Sequence, residues 1–433
     1  MGFLTDLAKT YENPDYLSDD ADRYIRKNIP DIPVLICEDN SICCIPWEDE
    51  VDSMCFAGMS GQGKTLLAQR VGEHIFHHWG DKLGMFFDVS EETYRWADKM
   101  DCKEFNQENE LHVNQEPCGL PMTFVYPNTN TLTIDEKIKS KINSYVRITL
   151  PFKEILQDLG FYLAGINPDF KLDRSEMYIN NLKEPLSECE NRIQIKETLE
   201  EELPGSDGKS FQAMRVKIFN AFDSLFNEEI LDISHPEYPA YLKMGDFTAN
   251  PLAVLMKANR VPALITSDLT NKKYQSAVIS YYVNSIMKNK QKEFPNDRVW
   301  IMFDELWDLC KQDNEPASKA IGRVATRGRI KDVGLIYSTQ FYDKIPNSVK
   351  GAKLNYLFSF QTSSERASKI ASDFDLPKIM KERIINLKKF ECIAMTRNKF
   401  RFYKNDQVWE DTKPVFGRIL FPLSGHRKAG EKF

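Results

Sequence analysis

Short apolar runs alternate with amphipathic stretches along most of the chain, and this pattern predicts strands followed by helices. The run IPVLICEDNSICCIPWEDE turns at residues 38–40 and predicts a β-hairpin. The next segment, DSMCFAGMSGQGKTLLAQRVGEHIFHHW, predicts a strand, a Gly-rich loop and a helix. Within that helix Leu66, Leu67, Val71 and Ile75 recur at helical spacing.

The same alternation of predicted strands and helices continues before and after the middle segment of the chain. Further strands are predicted in KLGMFFDVSEE, MTFVYP and YVRITLPF, and after residue 250 in VPALITSDL, RVWIMFDEL, VGLIYSTQ and LNYLFSFQ. Helices are predicted in YQSAVISYYVNSIMKN and PASKAIGRVATRGR, and FECIAMTRNKFRFY predicts a closing hairpin. Strands that alternate with helices indicate an α/β fold with a mainly parallel sheet and right-handed crossovers.

Residues 151–250 have a different character, with helices such as FQAMRVKIFNAFDSLF joined by polar loops. We therefore expect five segments. They are an N-terminal helical arm (1–30), a first part of the α/β core (31–150), a helical insertion (151–250), a second part of the core (251–410) and a C-terminal tail (411–433).

Composition is typical of a soluble globular protein, with 433 residues, 42% hydrophobic and 28% charged. No apolar run is long enough to predict a transmembrane segment, and the acidic N-terminus is not a secretory signal. The nine cysteines are scattered without a C-x-x-C pair, which indicates reduced thiols and a cytoplasmic protein. Because the net charge is −7, an interaction with nucleic acid has to be argued from motifs.

A phosphate-binding loop is predicted at residues 58–65, where GMSGQGKT fits G-x-x-x-x-G-K-[ST] between a strand and a helix. Glycines let backbone N–H groups surround a phosphate, Lys64 reaches its outer oxygens, and Thr65 offers a hydroxyl to Mg²⁺. A second Gly-Lys-Ser at 208–210 lacks the earlier glycine and predicts a surface loop. The candidate nucleotide-binding residues are Gly58, Ser60, Gly61, Gln62, Gly63, Lys64, Thr65 and Leu66.

Two acids follow the apolar strand Val299–Phe303. Carboxylates at the end of a buried strand indicate a functional sheet edge, with Asp304 holding Mg²⁺ together with Thr65 and Glu305 acting as general base. The alternative is an acidic cap on the following helix. The accompanying phosphate loop favours the catalytic interpretation.

The stretch TRGRIKDVGLIYSTQ, residues 326–340, predicts the end of a basic helix, a turn and a strand that ends in Thr339-Gln340. A polar side chain at that strand tip can contact a terminal phosphate, so Gln340 is a further catalytic candidate. Basic residues at spacing four (Lys319, Arg323, Arg327 and Lys331) could face DNA phosphates, a neighbouring subunit or solvent.

The order of these motifs resembles the HerA/FtsK superfamily of P-loop ATPases over roughly residues 32–100 and 255–405. The resemblance implies a RecA-like core that binds ATP and Mg²⁺, with Gln340 sensing the γ-phosphate. It also implies a ring, a hexamer by default, in which Arg329 or Arg327 reaches the neighbour's phosphate. Double-stranded DNA would be the substrate, and a nuclease, a capsid or a transfer machine would be a partner.

Only about 50 residues precede the phosphate loop, too few for the N-terminal β-barrel of cellular HerA-like proteins. The chain is therefore more similar to stripped-down ATPases of viruses and mobile elements, placed in the host cytoplasm or virion. The sequence Asp-Glu-Leu-Trp at 304–307 also resembles conjugation ATPases. Three functions stay open: a DNA translocase for packaging or transfer, a conjugation- or secretion-type ATPase that does not pump DNA, and a nucleotide-dependent switch or scaffold.

Overall fold

Strands and helices alternate in the structure much as the apolar pattern predicts. It is a computed structural model that describes residues 31–47, 53–79, 82–88, 93–113, 115–127, 145–148, 150–152, 156, 172–203, 209–227, 231–232, 243–244, 247–248, 256, 261–265, 272–310, 316–350, 354–405 and 407–426. The expected N-terminal arm, residues 1–30, lies outside the described residues, and so does most of the start of the insertion.

The strands are β1 (Ile32–Cys37), β2 (Ile42–Ile45), β3 (Ser53–Ala57), β4 (Lys82–Asp88), β5 (Met122–Pro127), β6 (Tyr145–Ile148), β7 (Leu150–Pro151), β8 (Leu231–Asp232), β9 (Lys243–Met244), β10 (Phe247–Thr248), β11 (Val261–Ile265), β12 (Val299–Phe303), β13 (Val333–Thr339), β14 (Tyr356–Ser359), β15 (Glu391–Thr396), β16 (Phe400–Lys404), β17 (Gln407–Asp411) and β18 (Val415–Ile419). The α-helices are α1 (Lys64–His74), α2 (Lys103–Val113), α3 (Leu172–Glu188), α4 (Arg192–Glu202), α5 (Lys209–Asn227), α6 (Lys272–Glu293), α7 (Leu306–Leu309), α8 (Pro316–Arg327), α9 (Asn347–Lys350), α10 (Ser364–Asp373) and α11 (Lys378–Ile385).

Among the described residues, 14 strands form one mixed sheet in the order β17-β16-β2-β1-β18-β15-β14-β3-β13-β12-β4-β11-β5-β6. The half from β14 to β6 is parallel, as the alternation of strands and helices predicts. In this half β3 lies between β13 and β14, and β12 lies between β13 and β4. The carboxyl ends of β3, β12 and β13 therefore meet at one edge.

The central strands β3, β12 and β13 are buried on both faces, which explains why they are mostly apolar. In β3, Met54 and Phe56 belong to one buried cluster, and Cys55 and Ala57 belong to the other. The first cluster includes apolar residues of α1, and the second includes residues of α6, α8 and the insertion helices α3, α4 and α5. The helices of this middle segment, α3, α4 and α5, thus pack on the core at the face opposite α1.

The predicted closing hairpin is wrong. β15 pairs with β14 and β18, whereas β16 pairs with β2 and β17. The N-terminal hairpin β1–β2 does form, and it lies between β18 and β16. Alternating polarity indicates a strand, but it does not identify the strand's partner.

Two further expectations need correction. The segment expected to be a tail contains β18, which lies inside the sheet between β1 and β15, and residues 420–425 after it are buried. The second Gly-Lys-Ser is not simply a loop, because Lys209 and Ser210 begin α5. Within the described part of the chain, no helix has the length and apolar character needed to cross a membrane.

Candidate functional site

The phosphate loop connects β3 to α1 at the carboxyl edge of the parallel strands. It is anchored on both neighbouring strands, because Gly58 N donates to Thr339 O at 3.1 Å and Met59 N donates to Gln361 O at 2.8 Å. Gln62 O at the other end accepts from Phe390 N at 3.1 Å. The loop is therefore held by backbone bonds that no change of side chain would directly remove.

Two glycines of the loop cannot be replaced without strain. Gly58 has φ +152°, and a Cβ built on it would lie 2.6 Å from Phe360 Cβ. Gly63, with φ +109°, precedes α1, and its Cβ would lie 2.9 Å from Ile419 Cδ1. The backbone here follows a path that side chains would block, which is what a cradle for an anion requires.

Lys64 is buried, with 4% of its surface exposed. Its Nζ donates to Met59 O at 3.1 Å and lies 3.8 Å from Glu305 Oε1. The loop thus folds over its own lysine, and the ammonium is directed toward the end of β12. Sequence reasoning paired these two residues, and the structure brings them together.

Asp304 and Glu305 follow β12 and are linked through one serine of β13. Ser338 Oγ donates to Asp304 Oδ1 at 2.5 Å, and Glu305 N donates to Ser338 Oγ at 3.2 Å. Asp304 is buried. Ser338 was not singled out from the sequence, although a hydroxyl within the buried run VGLIYST is the signal that could have identified it.

The Glu305 carboxylate is held by three hydrogen bonds. Gln340 donates to it twice, from Nε2 to Oε1 at 2.9 Å and from N to Oε2 at 3.1 Å. Trp307 Nε1 donates to Oε2 at 2.9 Å. Glu305 also has φ +49°, which is uncommon for a residue with a side chain and frequent at active sites. Trp307 is a second residue that sequence reasoning did not assign.

Burial raises the pKa of Glu305, and the charge of Asp304 raises it further. The Lys64 ammonium and the Gln340 hydrogen bonds act in the opposite direction. A carboxylate whose pKa is raised toward neutrality is a better proton acceptor than an exposed one. Glu305 therefore has the environment of a general base.

The other predicted loop residues take different positions. Ser60 and Gly61 are exposed, Thr65 is half-buried at the start of α1, and the Leu66 side chain packs in the core. Gln62 Oε1 is buried without a hydrogen-bond partner. An orphaned acceptor, a glycine cradle, a buried lysine and a buried carboxylate together fit a magnesium-bound nucleotide.

Arg327 and Arg329 lie far in space from the site of their own chain. Arg327 ends α8, and Arg329 lies in the turn before β13, at the opposite edge of the sheet. The seven residues of β13 separate that turn from Gln340, a span of about 23 Å. Both arginines are exposed. Lys331 departs from the predicted basic stripe, because it lies beyond the helix and donates to Met287 O at 2.8 Å.

The fold is similar to solved structures despite low sequence identity. VirB4 of Thermoanaerobacter pseudethanolicus gives a TM-score of 0.53 at 14% identity, covering 90% of this chain and 97% of VirB4. A bacterial conjugative coupling protein, TrwB, gives 0.51 at 14% identity, covering 92% of this chain and 93% of TrwB. TrwB in complex with ADP and Mg²⁺ gives 0.46 at 15% identity, covering 94% and 95%.

A scan against family models finds no match, and neither does a search of curated proteins. The similarity to VirB4 and TrwB confirms the predicted RecA-like P-loop fold, a mainly parallel sheet flanked by helices.

Proposed function

We propose that this chain is an ATP-hydrolysing motor that translocates double-stranded DNA as a ring. The observation that carries the proposal is the convergence of Lys64, Asp304, Glu305 and Gln340 at one sheet edge, in contact or through one intervening serine. These are the groups that P-loop ATPases use for phosphate, metal and water.

Each residue has a role that follows from its surroundings. Lys64 and the loop N–H groups bind the phosphates, while Thr65 and Asp304 hold Mg²⁺, which when bound neutralises charge on the transferred group. Glu305 accepts the proton of the attacking water, and Gln340 orients that water and contacts the terminal phosphate. The direct bonds between Glu305 and Gln340 support a shared task.

The ring is supported by the position of the exposed arginines. Because Arg327 and Arg329 lie at the far edge of the sheet, neither can serve its own site. In the proposed ring one of them reaches the site of a neighbouring copy, where an arginine finger stabilises transition-state charge. Arg329 is the first candidate and Arg327 the second.

DNA is supported by the resemblance to HerA/FtsK motors and by the similarity of fold to TrwB, which is a conjugative coupling protein. A translocase needs only sequence-independent phosphate contacts. A packaging or transfer role suits such a motor.

A second candidate is a conjugation- or secretion-type ATPase that energises a membrane-associated machine without pumping DNA. It is favoured by Trp307, the last residue of the Asp-Glu-Leu-Trp sequence, which contacts the general base directly. The two candidates share one catalytic core, so only their response to DNA separates them.

The test is steady-state ATP hydrolysis with and without linear duplex DNA at low salt, together with the mass of the assembly in the presence of an ATP analogue. The translocase is expected to show several-fold stimulation that disappears as salt rises, since phosphate contacts release counterions. A rate of ATP hydrolysis that does not change when duplex DNA is added would favour the second candidate. A protein that stays monomeric with the analogue contradicts the ring.

A further inference from the structure

The last described residues, Leu420–His426, form a segment that we call the C-terminal strap. It lies along α1, the helix that follows the phosphate loop. Leu423 N and Ser424 N donate to the two carboxylate oxygens of Glu73, at 2.8 and 2.9 Å. On the other side, Met100 N donates to Leu423 O at 2.9 Å. The strap is thus fixed from both sides.

The strap runs toward the nucleotide end of α1. Its contacts move from Glu73 to Gln69, whose Nε2 donates to Ser424 Oγ at 2.6 Å and to Gly425 O at 2.9 Å. Gln69 lies one helical turn after Thr65, about 6 Å along the axis and on the same face. His426 therefore follows the strap to the face of α1 that carries the expected magnesium ligand.

The orientation of the His426 ring follows from its partner. His426 Nδ1 lies 3.1 Å from Gln69 Oε1. Because Gln69 Nε2 is occupied by the strap, its Oε1 accepts and His426 Nδ1 must donate. A neutral imidazole then keeps the lone pair on Nε2 as an acceptor.

The electrostatics of the ring agree with this position, which the contact with Gln69 defines. Burial lowers the pKa of His426 to about 4, so the ring is neutral at pH 7. The charge of Asp304 acts on His426 in the opposite direction, which puts the ring within electrostatic reach of that carboxylate. His426 thus contacts Gln69 on the face of α1 that also carries Thr65, and its ring feels the charge of Asp304; these two residues are the expected ligands.

We propose that His426 is a positioning residue that accepts a hydrogen bond from water in the hydration shell of the divalent cation. Mg²⁺ bound through few protein ligands keeps several waters, and these need acceptors. The inference rests on the proposed ATPase function. It adds that the strap, far in sequence from both nucleotide motifs, completes the cation's surroundings.

The decisive variant is His426→Asn, whose amide N–H replaces Nδ1 but whose side chain lacks an acceptor at the Nε2 position. The affinity of a fluorescent ADP analogue would be measured with Mg²⁺ and with chelator, alongside the melting temperature. The variant should keep its melting temperature and its magnesium-free affinity. Its Mg²⁺-dependent gain in affinity should fall about tenfold, as expected for an outer-shell partner.

His426→Gln, whose amide reaches the Nε2 position, should recover part of that gain. Ser424→Ala serves as the control for the strap, because it removes a hydroxyl that bonds Glu73 and Gln69, while Gln69 Nε2 keeps its bond to Gly425 O and Gln69 Oε1 still holds His426. It should lower the melting temperature and leave the Mg²⁺ dependence unchanged.

An unchanged Mg²⁺ dependence in His426→Asn would overturn the proposal, as would equal losses in His426→Asn and Ser424→Ala. A wild-type protein that binds no nucleotide at all would instead remove the proposed function and this inference with it. The two failures are distinguished by the wild-type measurement alone.

Discussion

Replacing Glu305 with glutamine should separate nucleotide binding from hydrolysis. In the variant, the amide oxygen can take the place of Oε2 and accept from Gln340 N and Trp307 Nε1, which lie 3.1 and 2.9 Å from it. The amide nitrogen then faces Gln340 Nε2 across 2.9 Å, and a half-turn of the Gln340 amide restores a hydrogen bond. We therefore expect a change in stability of about 1 kcal/mol or less.

The catalytic loss should be far larger. General-base catalysis contributes about 10²- to 10⁴-fold, equivalent to roughly 3–5 kcal/mol of the barrier. Phosphate release would be followed under steady-state and single-turnover conditions, and a fluorescent ATP analogue would report affinity. Glu200→Gln, an exposed carboxylate on α4, is the matched control. Hydrolysis by Glu305→Gln within threefold of wild type, at equal affinity, would refute the assignment of the base.

Three further predictions concern the sheet, the ring and the strap. Asp31 is fully buried and accepts from Arg401 at 3.1 Å through both oxygens, so Asp31→Ala should lower the free energy of unfolding by about 3–5 kcal/mol in urea titrations. A loss below 1 kcal/mol would contradict that pairing. Arg329→Ala should reduce hydrolysis by about 10³-fold or more while ATP binding persists. An equal mixture of this variant with Glu305→Gln should restore activity at about one site in four. A site is complete only where one subunit supplies Glu305 and its neighbour supplies Arg329, and the two variants occupy the positions of a cyclic ring at random. Mixed rings without activity argue against a finger in trans. The pKa of His426 is about 4 in the folded protein, and its ordinary value is 6.5. Between pH 4 and 6.5 the unfolded chain therefore binds more protons than the folded chain. The free energy of unfolding of the wild type, measured relative to that of His426→Asn, should therefore be highest above pH 6.5. It should fall by up to about 3 kcal/mol as the pH is lowered toward 4. Equal pH dependence of the two proteins would contradict the buried, neutral ring.

The parallel half of the fold was predictable because local sequence determines it. An apolar run followed by a glycine loop and an amphipathic helix has few alternatives, and the carboxyl ends of parallel strands meet at one edge. That geometry also predicted the convergence of Lys64, Asp304, Glu305 and Gln340. Ser338 and Trp307 were missed because their roles depend on which neighbours the fold brings near.

The antiparallel half could not be predicted from local patterns. β18 pairs with β1, so the two ends of the described chain meet in the sheet. Such pairing between distant segments leaves no periodic signal, and the run FECIAMTRNKFRFY looks like a hairpin although its strands bind other partners.

The polar residues of α1 were equally uninformative. Gln69 and Glu73 suggest a solvent-facing surface in sequence, yet both are buried under the strap.

The most direct test of the nucleotide site is a titration of the protein with MgATP by calorimetry, comparing wild type with Lys64→Ala. Lys209→Ala is the control, since Lys209 lies in the second Gly-Lys-Ser, which lacks the earlier glycine that a phosphate loop requires. Wild type and Lys209→Ala should bind one nucleotide per chain, and Lys64→Ala should lose about tenfold to hundredfold in affinity through the lost charged hydrogen bonds. Equal affinity for all three proteins would contradict the site.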